Sequence, residues 1–290
     1  MRDKQRFLWL LVVIVVVEAW EGKIEHPEEW DLWKTEHGKS YESQREELER
    51  HLVWLSNREY INAHNKNSVV TGFSLRLNHF ADLMDEEFQE VYLTYRPGDR
   101  SDIRDTTLVE GVQDLPLMMD WRTRRAVTNI KEQGQCGSSY AFSAAGAVEG
   151  AWAVRHEQLV NISAQNIIDC SGDYGNDGCN GGNMKASFRY MVSNRGINGA
   201  SHYPYKARFY YRGVYRSQRC SASNLTHAML IIGYGTTNQR DYWLVKTGII
   251  HNPNRQSWGV YWGVDGYILM ARNLSNECGI ASDASFPTLN

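Results

Sequence analysis

The chain has 290 residues, enough to bury a core in one large domain or two smaller ones. Its formal charge is −3 and no basic block stands out, so a nucleic-acid partner is not expected. Five cysteines, an odd number, leave one over if the others pair.

The N-terminus, MRDKQRFLWLLVVIVVVEAW, sets Arg2, Lys4 and Arg6 before an apolar run from Phe7 to Val17. Val17 and Ala19 suit a cleavage site before Trp20, so residues 1–19 read as a secretory signal peptide. The apolar run falls well short of the roughly 20 residues that cross a bilayer, and no membrane span is expected. In the secretory route cysteines are disulfide candidates. Sequons at Asn161-Ile162-Ser163, Asn224-Leu225-Thr226 and Asn273-Leu274-Ser275 make Asn161, Asn224 and Asn273 glycosylation candidates.

Residues 20–95 read as a prosegment, charged and helix-like from about Pro27 to Tyr92. Within it Glu46, Arg50, Trp54, Asn57, Ile61 and Asn65 step by three or four residues, which keeps all six on one helical face. A bland amphipathic helix does not need two Asn and a Glu/Arg pair on that face. Farther on, RLNHFADL carries Asn78, Phe80 and Asp82. These residues resemble the ERFNIN and G-x-N-x-F-x-D motifs of cathepsin L-type propeptides, with Arg76 in place of the glycine. The resemblance implies a prosegment lying backwards through the cleft it blocks. Residues 96–114 form a polar linker and maturation region, and residues 115–290, rich in Gly, Ser, Tyr, Trp and Cys, a compact domain.

That domain opens on QGQCGSSYAFS. The nucleophile signature of papain- and cathepsin-like proteases is C-G-[SA]-C-[WY]. Cys136, Gly137, Ser138 and Tyr140 satisfy it, and Ser139 stands where the reactive cysteine belongs. Apolar residues at Phe142, Ala145, Val148 and Trp152 then predict a helix over 139–154, with Ser139 in the positive field at its N-terminus. For cysteine that field yields a thiolate paired with an imidazolium. A serine hydroxyl is too weak an acid to ionise there and needs a neutral histidine to take its proton. With an ordinary pKa near 6.5, His227 in THAMLIIGYG meets that need at about pH 7.

The order of motifs resembles the papain-like family along the domain. The resemblance implies an α+β, two-lobe fold: a helical lobe and a truncated β-barrel lobe behind a helical inhibitor prosegment. It assigns Ser139 as nucleophile, His227 as base and Gln133 as oxyanion donor. Gly181 and Gly182 would hold substrate backbone, and Trp258 would follow the residue that orients the histidine. It also pairs Cys136 with Cys179 and Cys220 with Cys278, leaving Cys170 as the unpaired thiol.

Two breaks interrupt the match. The family places its histidine roughly 130–150 residues after the nucleophile. Here 88 positions separate Ser139 from His227, so a block on the order of 40–60 residues is absent, with the join near Tyr210–Tyr211. The usual partner of Cys170 belongs to that block, and the strand AMLIIGY is expected to show an open edge. The second break inserts residues 247–255 before Ser257-Trp258-Gly259. Gln256, or by direct continuation Thr247, then replaces the asparagine that orients the histidine.

Serine with tyrosine in QGQCGSSYAFS, together with HAML, DYWLVK and CGIAS, resembles the silicateins, sponge cathepsin L relatives with Ser as nucleophile. That likeness implies silicic acid or silica as partner, self-assembly into filaments, and residence outside the cell or in a lysosome-like silica-depositing vesicle. The alternatives are a catalytically silent structural or binding protein and an ordinary peptidase. No metal-ligand spacing or cofactor fingerprint occurs, so no metal and no cofactor are expected.

Overall fold

The computed structural model describes residues 26–97, 115–131, 133, 136–197, 210–215, 225, 227–246, 263–276 and 280–287. The signal peptide, the linker from 98 to 114 and residues 247–262 lie outside them. Among the described residues no helix is long and apolar enough to cross a membrane.

The prosegment begins with α1 (Pro27–His37), whose proline at the first turn and Gly38 in the left-handed conformation at its end mark both boundaries. Helix α2 (Gln44–Asn65) starts where Ser43 Oγ accepts from the Glu46 amide and Glu46 returns a carboxylate oxygen to the Glu42 N–H. Trp54 and Ile61 point inward from the face the sequence marked. Its two asparagines serve backbone beyond the helix. Asn57 donates to Ala81 O and Leu83 O, while Asn65 both accepts from the Leu75 N–H and donates to Leu75 O. The Glu and Arg of that face engage different partners. Arg50 binds Glu87 at 2.8 and 2.9 Å and also donates to Asp82 O, because the loop after Asn78 folds back across the helix.

A short helix α3 (Ser68–Thr71) leads to strand β1 (Phe73–Leu75) and then α4 (Asp85–Tyr92). Trp30, Trp33, Trp54, Phe80, Phe88 and Tyr92 form an aromatic core that continues onto Val245, Ile268 and Met270 of the second lobe. The prosegment and the β lobe therefore share one hydrophobic cluster.

The domain that follows contributes β2 (Met119–Asp120), helices α5 (Ser139–His156), α6 (Ala164–Cys170) and α7 (Met184–Ser193), then strands β3 (Tyr210–Tyr215), β4 (Leu230–Thr237), β5 (Arg240–Lys246) and β6 (Tyr267–Ala271). The sheet order is β1-β3-β6-β5-β4-β2. Strand β3 runs parallel to β6 and antiparallel to prosegment strand β1, so the prosegment supplies one edge of the sheet. The open edge expected at AMLIIGY is corrected: β2 pairs with Gly233 and Tyr234, and the Trp121 N–H donates to Ile232 O. Arg240, in the β4–β5 turn region, donates to Thr71 O at 2.8 Å and Val70 O at 3.0 Å. Its guanidinium fills the space beside Gly72, which any side chain would occupy.

The two lobes are joined behind α5 by a buried polar cluster that composition and periodicity did not announce. Glu149, 1% exposed on an otherwise apolar helix, accepts from Thr128 Oγ1, Lys131 Nζ and the Ile162 N–H. Lys246, at the end of β5, donates to Thr128 O and Thr128 Oγ1. Burial holds the Lys246 ammonium down to about 8, with Glu149 opposing that shift and Lys131 adding to it.

Removing the carboxylate should leave two buried cations facing each other. Glu149→Ala is expected to lower stability by about 3–5 kcal/mol in chemical denaturation of the full chain. A second prediction concerns acid. Burial, with Lys39 and Arg76 nearby, holds the His37 imidazole down to about 4. Because its folded value lies below the unfolded 6.5, stability is full above pH 6.5 and declines as pH falls towards 4, by about 3 kcal/mol. His37→Gln should flatten the dependence of the melting temperature on pH across that window.

Candidate active site

Ser139 is the first residue of α5 and is 2% exposed. The turn ahead of it is fixed by the Cys136–Cys179 disulfide and by the Gly137 N–H donating to Cys179 O at 2.8 Å. Ser139 Oγ accepts a long hydrogen bond, 3.4 Å, from the Ala228 N–H of the opposite lobe. One turn farther along the helix, Ser143 Oγ donates to Met229 O at 2.9 Å. The two serines thus grip the chain on the C-terminal side of His227. Behind them lies a cavity of ≈ 30 Å³, room for one or two waters, lined by Ser139, Ser143, Lys131, Glu149 and Lys246.

His227 keeps part of its surface in contact with solvent, but both ring nitrogens are enclosed. Burial pushes the imidazole down to about 3, which corrects the ordinary value near 6.5 expected from sequence. The ring is therefore uncharged throughout the neutral and mildly acidic range. It is not the imidazolium of a thiolate pair, and the burial that disfavours its charged form also makes it a weak base in this prosegment-bound state.

Gln133 is 1% exposed, and its side-chain amide donates to Cys136 O. In this state the expected oxyanion donor is held by the backbone just before Ser139. Gly181 and Gly182 lie against the prosegment as it leaves α4. A side chain at Gly181 would come within 1.9 Å of Thr94 O. Thr94 Oγ1 donates to Gly137 O at 2.8 Å, Tyr95 bridges Gly182 in parallel, and the Arg96 N–H donates to Gly182 O at 3.1 Å. Two residues from Ser139, the cleft is filled by the chain's own backbone.

Cys170 is a free, exposed thiol. Asn161 and Asn273 are exposed, and Asn273 Nδ2 donates to Asp241 Oδ2 at 2.7 Å. Gln256, Thr247, Trp258, Cys220, Cys278 and Asn224 lie outside the described residues. Among the described residues no group of three His, Cys, Asp or Glu is placed to hold a metal ion. Sequence reasoning missed Lys246, Glu149 and Asp283. A lone carboxylate on the apolar face of α5 was the available signal for Glu149.

The sequence profile of the papain family cysteine protease matches residues 115–209 and 206–288, in two pieces. The profile of the cathepsin propeptide inhibitor domain matches residues 30–88. A silicatein of Petrosia ficiformis is 36% identical, with 91% of this chain and 95% of that protein aligned. Digestive cysteine proteinase 3 of Homarus americanus is 38% identical over 90% and 94%. The alignment to the silicatein spans 330 positions, more than the chain's 290 residues, so that relative carries residues this chain lacks. Among solved structures, digestive procathepsin L 3 of the Tenebrio molitor larval midgut superposes with a TM-score of 0.78 at 34% identity, covering 91% of this chain and 99% of that one. The helical lobe carrying the nucleophile position, the sheet lobe carrying His227 and the inhibitor prosegment seated between them make this chain a cathepsin L-like member of the papain family.

Proposed function

We propose that the chain is a secreted, silicatein-like hydrolase whose Ser139–His227 pair promotes condensation at silicon, on a scaffold that assembles into filaments. The observation that carries this reading is an alcohol at position 139 that accepts from the Ala228 amide, in the segment before β4 that also carries His227 with its ring uncharged. Similarity to a silicatein and to a digestive proteinase is nearly equal, so the reading leans on the serine at position 139 rather than on overall identity.

In the proposed cycle His227 takes the Ser139 proton as the oxygen attacks silicon in a silicon alkoxide or silicic acid. The displaced alkoxide or hydroxide leaves with that proton as alcohol or water. A second silanol then attacks, its proton passing to His227, and forms the Si–O–Si bond. The proton returns to Ser139 as its oxygen departs. Gln133 serves the charge on the reacting oxygen once the prosegment has left and its amide can turn from Cys136 O. Gln256 is the proposed support of the imidazole. Residues 1–19 serve as signal peptide, 20–95 as inhibitor and 96–114 as maturation region.

A second reading, a filament or binding protein without turnover, rests on the altered residues before Ser257. Silica formation from a tetraalkoxysilane separates the two. After prosegment removal, Ser139→Ala and His227→Ala should each lower the initial rate about 100-fold or more, while the wild type leaves a cathepsin peptide substrate intact. Deposition unchanged in both variants would leave only a scaffold.

A further inference from the structure

The prosegment does not only cover the cleft; it seats one side chain in it. Tyr95 lies in extended chain beyond α4, yet it is 7% exposed and packs in the hydrophobic cluster that includes Ala228 and Met184. Its phenol donates to Asp283 Oδ2 at 2.6 Å, from a position 188 residues away in sequence. The other carboxylate oxygen of Asp283 is held by Lys185 Nζ at 2.6 Å. Burial first, and the Asp283 carboxylate second, push the phenol up, so it stays protonated and donates.

The pocket thus has three parts. Gly182 pairs with the backbone of an extended strand, apolar residues surround the ring, and a carboxylate closes the floor. We propose that Asp283, held in place by Lys185, makes this pocket selective for tyrosine on an extended peptide, the class of ligand it accepts once the prosegment withdraws. The inference goes beyond silicon chemistry and stands whether or not Ser139 reacts.

The selectivity follows from what each alternative would leave unmet. Phenylalanine fills the same walls but leaves a largely buried carboxylate oxygen without its donor. An acidic side chain meets the Asp283 charge directly. A lysine or arginine finds that charge already paired with Lys185, and must compete with it. A neutral donor at the end of an aromatic ring satisfies all three parts.

Segment 94–96 is in effect a tethered peptide ligand, so the full chain itself can be used. Tyr95→Phe, Tyr95→Leu and Tyr95→Lys are built with Asp283 intact and with Asp283→Ala. Backbone hydrogen exchange at residues 93–97 reads how often the segment opens, and exchange within α2 controls for global unfolding. With Asp283 intact, Tyr95→Phe should open about tenfold more often, as loss of a hydrogen bond to a charged acceptor predicts, and Leu and Lys at least as often. With Asp283→Ala, Tyr and Phe should open equally. Equal opening of Tyr and Phe with Asp283 intact, a difference that survives Asp283→Ala, or tighter closure with Lys would each overturn the proposal.

Discussion

The Ala228 amide reaches Ser139 Oγ across 3.4 Å, and the rest of the site depends on the lobes meeting at that seam. Ser143 adds a second hydrogen bond one turn along α5, and the Glu149 cluster ties the back of the helix to Lys131, Thr128 and, through Thr128, Lys246. The helix N-terminus offers a positive field to whatever charge develops on the serine oxygen. Enclosure of the imidazole nitrogens on the facing segment keeps the His227 ring uncharged. A thiolate would need its histidine charged, which this enclosure disfavours; an alcohol needs an uncharged base, and the ring gains basicity only where its surroundings open to water.

The inhibitor prosegment uses the same seam from outside. Its aromatic core runs into Val245, Ile268 and Met270, its strand β1 extends the sheet through β3, and Arg240 clasps the end of α3. These contacts deliver residues 94–96 onto Gly137, Gly181 and Gly182, where the absence of side chains lets two backbones approach. The β lobe therefore offers a complete docking surface to the prosegment among the described residues. Strands β1 and β2 occupy the two sheet edges, limiting the self-pairing that an exposed edge invites.

Features set by neighbouring residues were legible in the sequence. The step of three and four from Glu46 to Asn65 gave the inward face of α2, and apolar spacing after Ser139 gave α5. The resemblance named Cys136 and Cys179, which the structure joins. What escaped depends on distant chain. Arg50 turns to Glu87, β2 returns to cover β4, and Lys246 reaches Thr128 across 118 positions. Periodicity carries no information about such partners. Enclosure of His227 likewise depends on both lobes together, so its low pKa could not be read from THAMLIIGYG.

The claim most open to a single measurement is that His227 is an uncharged acceptor facing an alcohol. Titration of the imidazole in the intact chain by nuclear magnetic resonance, assigned with His227→Gln, reads its charge directly. The account predicts a neutral ring from pH 8 down to about 4, with protonation only near 3. A ring already protonated at pH 7 would contradict it, because a charged imidazole cannot accept the proton of Ser139.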